Sequence, residues 1–184
     1  MDSSNQLRMM VYASLFAALT AVGAFLAIPI GPVPIVLQNM FVYLAGLLLG
    51  SRWGLASVGV YLLAGACGLP VFAGGLGGIG RIIGPTGGYL IGYLPTVFLI
   101  GKISDRSNPR AFFDVLAMVC GSIALYACGI TWLKILTGMT LAKTLMAGMV
   151  PFLIGDVLKI AAAAAIARAL RPVIHVQGDA SRDT

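Results

Sequence analysis

Charge is what this chain has least of. Of its 184 residues only 10% are charged, six acids against twelve bases, while 59% are hydrophobic. A soluble domain of this length needs far more polar surface than those few groups supply, so a water-soluble core is excluded. Histidine is nearly absent: His175 stands alone in a polar C-terminal tail, without the carboxylate or thiol neighbours that a metal site needs. The three cysteines, Cys67, Cys120 and Cys128, have no CxxC spacing and read as small packing residues. No lysine follows the glycine-rich stretch in the Walker pattern, so ATP binding by this chain alone is not expected. Paired histidines, HExxH, a Ser–His set and clustered carboxylates are also missing, which argues against an enzyme. The net charge of +6 is scattered and never forms a run, so nucleic acid is not an expected partner. No cofactor is expected either.

What is present is long and apolar. Apolar runs cover about 8–28, 36–50, 53–70, 86–103, 111–134 and 146–170, and with a mean hydropathy of +0.98 they read as membrane-spanning helices. The runs are continuous rather than alternating, which excludes a transmembrane barrel. The expected fold is an all-α integral membrane protein: six transmembrane helices in one domain over residues 1–184, with 1–7 and 172–184 as cytoplasmic tails. The first run is too long for a secretory signal and is expected to stay. The second and third runs are short, and only Gly50-Ser51-Arg52 separates them.

Basic residues set the expected orientation. With the N-terminus cytoplasmic, Arg8, Arg52, Lys102, Arg106, Arg110, Arg168, Arg171 and Arg182 fall inside, against Arg81, Lys134 and Lys143 outside. Both termini are therefore expected in the cytoplasm, and the lipid bilayer is the first partner.

Two outer connections stand out. Residues 28–35 carry Pro29, Pro32 and Pro34, which predict a stiff extended cap leading into Gln38 and Asn39. Residues 68–89 are too glycine-rich to continue a helix and too apolar for an ordinary solvated loop. With one arginine, Arg81, they read either as a lid over a ligand or as a flexible connector. On the first helix Ala13, Ala17 and Ala21 form a small-residue stripe that admits close approach of a helix, from this chain or from a partner subunit.

The costly feature is Asp156 with Lys159, three residues apart inside the last apolar run. Pro151 suits the first turn of that helix, which puts the pair one and two turns below the outer surface. Ionisable groups in a bilayer mark a site or a fixed internal pair. Here an acceptor stands beside a donor and suits an uncharged polar head with N–H groups next to a carbonyl. A structural salt bridge and an Asp–Lys proton relay remain as alternatives.

The strings Gly31-Pro32-Val33-Pro34-Ile35-Val36-Leu37-Gln38, Leu47 to Gly54, Gly68 to Gly75, Gly84-Pro85-Thr86-Gly87-Gly88-Tyr89 and Gly155-Asp156-Val157-Leu158-Lys159 together resemble the BioY family. That family is the biotin-specific substrate-capture (S) component of energy-coupling factor transporters, and the likeness covers about nine-tenths of the chain. The resemblance implies a six-helix biotin-binding subunit in a prokaryotic cell membrane, with its pocket opening outward beneath the first and third connecting loops. It also implies a transmembrane coupling subunit and two cytosolic ATP-binding subunits as partners, Ala13, Ala17 and Ala21 docking to the former, and a subunit that topples during transport. For the ligand it implies Asp156 on a ureido N–H, Lys159 on the ureido oxygen, Tyr89 and Gln38 lining the pocket, and Arg81 on the carboxylate. The inverted pose, with Lys159 on the carboxylate, is less favourable because Asp156 would repel that group. A stand-alone secondary transporter of biotin, or an S component for another small vitamin, is the alternative function.

Overall fold

The computed structural model describes residues 3–28, 33, 35–106 and 111–179. In order these form helix α1 (Ser3–Phe25), strands β1 (Ala27–Ile28) and β2 (Ile35–Val36), then helices α2 (Gln38–Ala66), α3 (Ile79–Ile83), α4 (Gly87–Arg106), α5 (Ala111–Thr137) and α6 (Leu141–Gly148). A 3₁₀ turn (Val150–Phe152) and helix α7 (Leu153–Asp179) complete the chain. The strands are a two-residue antiparallel pair, Ala27 opposite Val36 and Ile28 opposite Ile35. Pro29, Pro32 and Pro34 of the expected cap lie outside the described residues, as do Arg110 and Arg182 of the orientation argument.

Among the described residues, four helical stretches are long and apolar enough to cross a membrane: Ser3–Phe25, Gln38–Ala66, Ala111–Thr137 and Leu141–Pro172. Of these, Gln38–Ala66 is not straight. Gly50 has φ 73° and ψ −175°, far from helical values, and a Cβ placed on Gly54 would lie 3.3 Å from the Ala45 carbonyl oxygen. Nine residues along a straight helix separate atoms by about 13 Å. The chain therefore folds back at Gly50, in the Gly50-Ser51-Arg52 segment that parts the second and third apolar runs. Asp105 secures the turn, accepting from Ser51 N at 3.1 Å and Ser51 Oγ at 2.8 Å.

Helix α2 packs against α1 on one side and α4 on the other, α4 packs against α5, and α7 closes the bundle against α2 and α5. Close approach relies on small residues: a Cβ at Gly101 would collide with the backbone of Gly50 and Ser51. Tyr43, Tyr61, Ile100, Met118 and Leu133 fill the centre.

Helix α7 shows which solvent the fold is built for. Ile154, Val157 and Leu158 are 79%, 67% and 67% exposed, whereas Asp156 and Lys159 are 5% and 8% exposed. Water would favour the opposite rotation, and a surface of exposed aliphatic side chains matches hydrocarbon. This is a multi-pass membrane protein.

Three local features differ from the sequence expectation. The connection 135–145 contains the start of a short helix, α6, whose first residue Leu141 follows an extended Thr140. The expected tail from 172 onward is helical to Asp179, passing through Pro172. The third is an ion pair that the sequence did not announce: Arg171 makes a two-pronged bond to Asp114 (Nη2–Oδ1 2.8 Å, Nη1–Oδ2 3.0 Å), and the Asp114 side chain is 6% exposed. Arg171 also reaches Ser104 at 3.4 Å, and Ser104 donates to the Leu47 carbonyl at 3.2 Å. The end of α4, the start of α5, the Gly50 turn and Arg171 of α7 thus meet at one end of the bundle.

Candidate functional site

At the opposite end the helices enclose a cavity of about 400 Å³, within the span of small-ligand sites, roughly 300–1,000 Å³. Its polar wall comes from two helix starts. Gln38 and Asn39 occupy the first turn of α2, and Asp156 the first turn of α7. Each N-terminus carries partial positive charge, which favours a carboxylate there by about 0.3–1 kcal/mol.

Asp156 is held by three donors. Lys159 Nζ lies 3.1 Å and Asn39 Nδ2 2.9 Å from Oδ1, and the Tyr126 hydroxyl donates to Oδ2. Burying a lone carboxylate in oil costs several kcal/mol, and this set of charge-assisted bonds offsets it. Lys159 spends one N–H on Asp156 and retains two. Asn39 also contacts the Tyr43 hydroxyl at a long 3.5 Å, Tyr43 lies 2.8 Å from Ser122 Oγ, and Ser122 donates to the Met118 carbonyl. A polar thread thus leaves the cavity for the middle of α5.

Aromatic and aliphatic groups form the rest of the wall: Val33 and Val36, Tyr89, Leu90 and Tyr93 of α4, Leu125 and Tyr126 of α5, and Phe152. The Tyr89 hydroxyl donates to the Gly148 carbonyl at 2.7 Å, and its ring occupies the space where Gly129 would carry a Cβ. It is pinned between α5 and α6, so it presents a ring face and edge rather than a free hydroxyl.

The glycine-rich segment covers the cavity. Phe72, Ala73, Gly74, Arg81 and Thr86 all line it. Phe72 anchors the segment edge-on against Tyr61, with centroids 5.6 Å apart, and fills the space beside Gly65. Gly78 N bonds the Gly65 carbonyl at 2.7 Å, and Trp132 Nε1 donates to the Gly84 carbonyl at 3.0 Å. Gly74 and Gly75, with φ of 77° and 70°, make the tight turn that a residue with a Cβ would strain. Of the two sequence readings, these anchors match a cover over the cavity. Arg81 is exposed at its rim, and its side chain makes no hydrogen bond or ion pair with the described residues.

Asp156, Lys159, Gln38, Tyr89 and Arg81, singled out from sequence, therefore share one cavity. Ala13, Ala17 and Ala21 do not form an open face. Ala13 and Ala17 are 5% and 6% exposed and belong to the core, and Ala21 is half-buried against it. Their smallness serves the packing of α1 on α2, the intrachain alternative, and the open face of α1 is made of Leu7, Val11, Leu15 and Val22 instead. Tyr126, Phe152 and Thr86 escaped the sequence reading because aromatic and hydroxyl residues in an apolar run carry no signal of their own. Asn39 was visible as a helix-start amide, but its bond to a residue 117 positions away was not.

The BioY family model matches residues 1–176. The biotin transporter BioY of Thermotoga maritima is 39% identical over 165 residues, covering 90% of this chain and 96% of that protein. A probable biotin transporter BioY of Pyrococcus horikoshii is 42% identical over 158 residues, covering 86% and 93%. Among solved structures, the crystal structure at 2.1 Å of the S-component for biotin from an ECF-type ABC transporter superposes with a TM-score of 0.86 at 36% identity, covering 93% of this chain and 94% of that one. The match to the family model along nearly the whole chain, at this identity to its members, shows that the chain belongs to the BioY family.

Proposed function

We propose that this chain binds biotin on the outer side of a prokaryotic cytoplasmic membrane as the S component of an energy-coupling factor transporter. It releases the vitamin inward when coupled to a transmembrane subunit driven by two cytosolic ATP-binding subunits. The carrying observation is the buried acceptor–donor edge of Asp156 and Lys159 at the wall of a cavity of ligand size. A cyclic urea offers the complementary edge: an N–H for the carboxylate beside a carbonyl for the two remaining N–H groups of Lys159. The apolar bicycle and chain lie against Tyr89, Tyr93, Leu125 and Phe152, and the carboxylate reaches Arg81 at the rim. This pose keeps the ligand's anionic end away from Asp156.

The six spans of this reading are α1, the two arms of α2, α4, α5 and α7. Arg52, Lys102, Arg106, Arg168 and Arg171 gather at the end opposite the cavity, which supports a cytoplasmic assignment for that end and for both termini. Family members bearing transporter names favour a transport subunit over an enzyme.

Labelled biotin binding to the purified chain, competed by riboflavin and thiamine, tests the reading. Saturable binding displaced only by unlabelled biotin is expected, and displacement by either other vitamin would sink the biotin assignment. Copurification with a coupling subunit and ATPases is expected, whereas biotin uptake by this chain alone at its native abundance would favour the secondary transporter.

A further inference from the structure

Tyr126 belongs to none of the sequence motifs, yet it stands in the wall of the cavity between two of its defining residues. Its ring meets Tyr89 edge-on, centroids 6.5 Å apart and planes at 88°, and its hydroxyl donates to Asp156 Oδ2. Asp156 Oδ1 is taken by Lys159 and Asn39. A carboxylate has about four lone-pair sites, so three donors leave it roughly one for a ligand. A cyclic urea brings two N–H groups. The second needs another acceptor, and a phenol that has committed its proton to a carboxylate still has its oxygen lone pairs. Donation to the anion also makes that oxygen more negative, which strengthens the bond it can accept.

We infer that Tyr126 is a specificity-determining residue: its hydroxyl oxygen accepts an N–H of the ligand's cyclic urea while its proton stays on Asp156. In this arrangement the charge of Asp156 reaches two ligand N–H groups, one directly and one through the phenol. The inference rests on the biotin reading above.

Equilibrium binding by the purified chain tests it with three ligands: biotin and two derivatives, each methylated on a different ureido nitrogen. In the wild type, methylating the nitrogen that meets Tyr126 removes the donated bond and is expected to weaken binding by about tenfold or more. Tyr126→Phe keeps the ring and removes the oxygen, and is expected to weaken biotin by about tenfold while shrinking that methylation penalty below about threefold. If Tyr126 only orients Asp156, the substitution weakens all three ligands by one factor and both penalties persist, which overturns the inference. A wild type indifferent to methylation at both nitrogens overturns it too, and this arm needs no variant. Failure of the wild type to bind biotin itself would remove the biotin reading and the inference together, so the two failures are told apart by that measurement.

Discussion

Asn39 Nδ2, at the start of α2, donates to Asp156 Oδ1, at the start of α7, across 2.9 Å. Because a carboxylate only accepts, this contact fixes which way the Asn39 amide faces and ties two helices through one atom that Lys159 also holds. The site is thus set before any ligand arrives. On the proposed function Asp156 is both a binding group and a brace, and the two roles separate by substitution.

Asp156→Asn leaves Lys159 buried without its counter-charge and is expected to destabilise the chain by about 3 kcal/mol while biotin affinity falls. Adding Lys159→Met should restore much of the stability and none of the binding. Thermal unfolding in detergent and biotin titration of both variants check this. Unchanged affinity in Asp156→Asn would refute the ureido assignment.

Arg81 is exposed and ties no elements together, so Arg81→Ala should leave unfolding unchanged. Biotin affinity should fall by about tenfold, the equivalent of one charge-assisted hydrogen bond, while biotin amide, which lacks the anion, binds both forms alike. Parallel titrations with the two ligands give the answer, and equal losses for both would move the carboxylate elsewhere.

Gly50→Ala tests the fold-back of α2. Its φ of 73° is unfavourable for alanine, and the new Cβ would run into the Asp105 carboxylate that caps the turn. A loss of about 2 kcal/mol or more is expected, seen as a lower unfolding temperature. Protein that remains folded should bind biotin normally, since the cavity lies at the other end of the helix.

At that same far end, Asp114→Ala strands the Arg171 guanidinium and should cost about 3–5 kcal/mol. Arg171→Met in the same chain should recover most of the loss. Biotin affinity of the folded fraction is the control, and a tenfold change there would mean that the clamp reaches the cavity.

The parts of the site legible in sequence are those whose chemistry clashes with an oily surrounding. Asp156 and Lys159 stand out in an apolar run, Gln38 at a proline-led helix start, and Arg81 in a glycine-rich loop. The Gly50 break was legible for a different reason: two short runs with a glycine between them cannot make one span of normal length. Tyr126 was not legible, because a tyrosine in α5 looks like any packing aromatic until Asp156 is brought to it from another helix. The alanines of α1 show the converse limit. Their spacing announces a close helix contact without saying whose helix, and burial supplied that answer. The pairing of Asp114 with Arg171 was not legible, because 57 residues separate them.

Helix α7 carries Asp156 in its first turn and Arg171 fifteen residues, or about 22 Å, further along, each fastened to a different helix. Sliding this rod along its axis by one turn would tear both fastenings at once. Tilting it together with the helices it is fastened to would break neither. A bundle stapled at two levels therefore resists internal shear more than movement as one body.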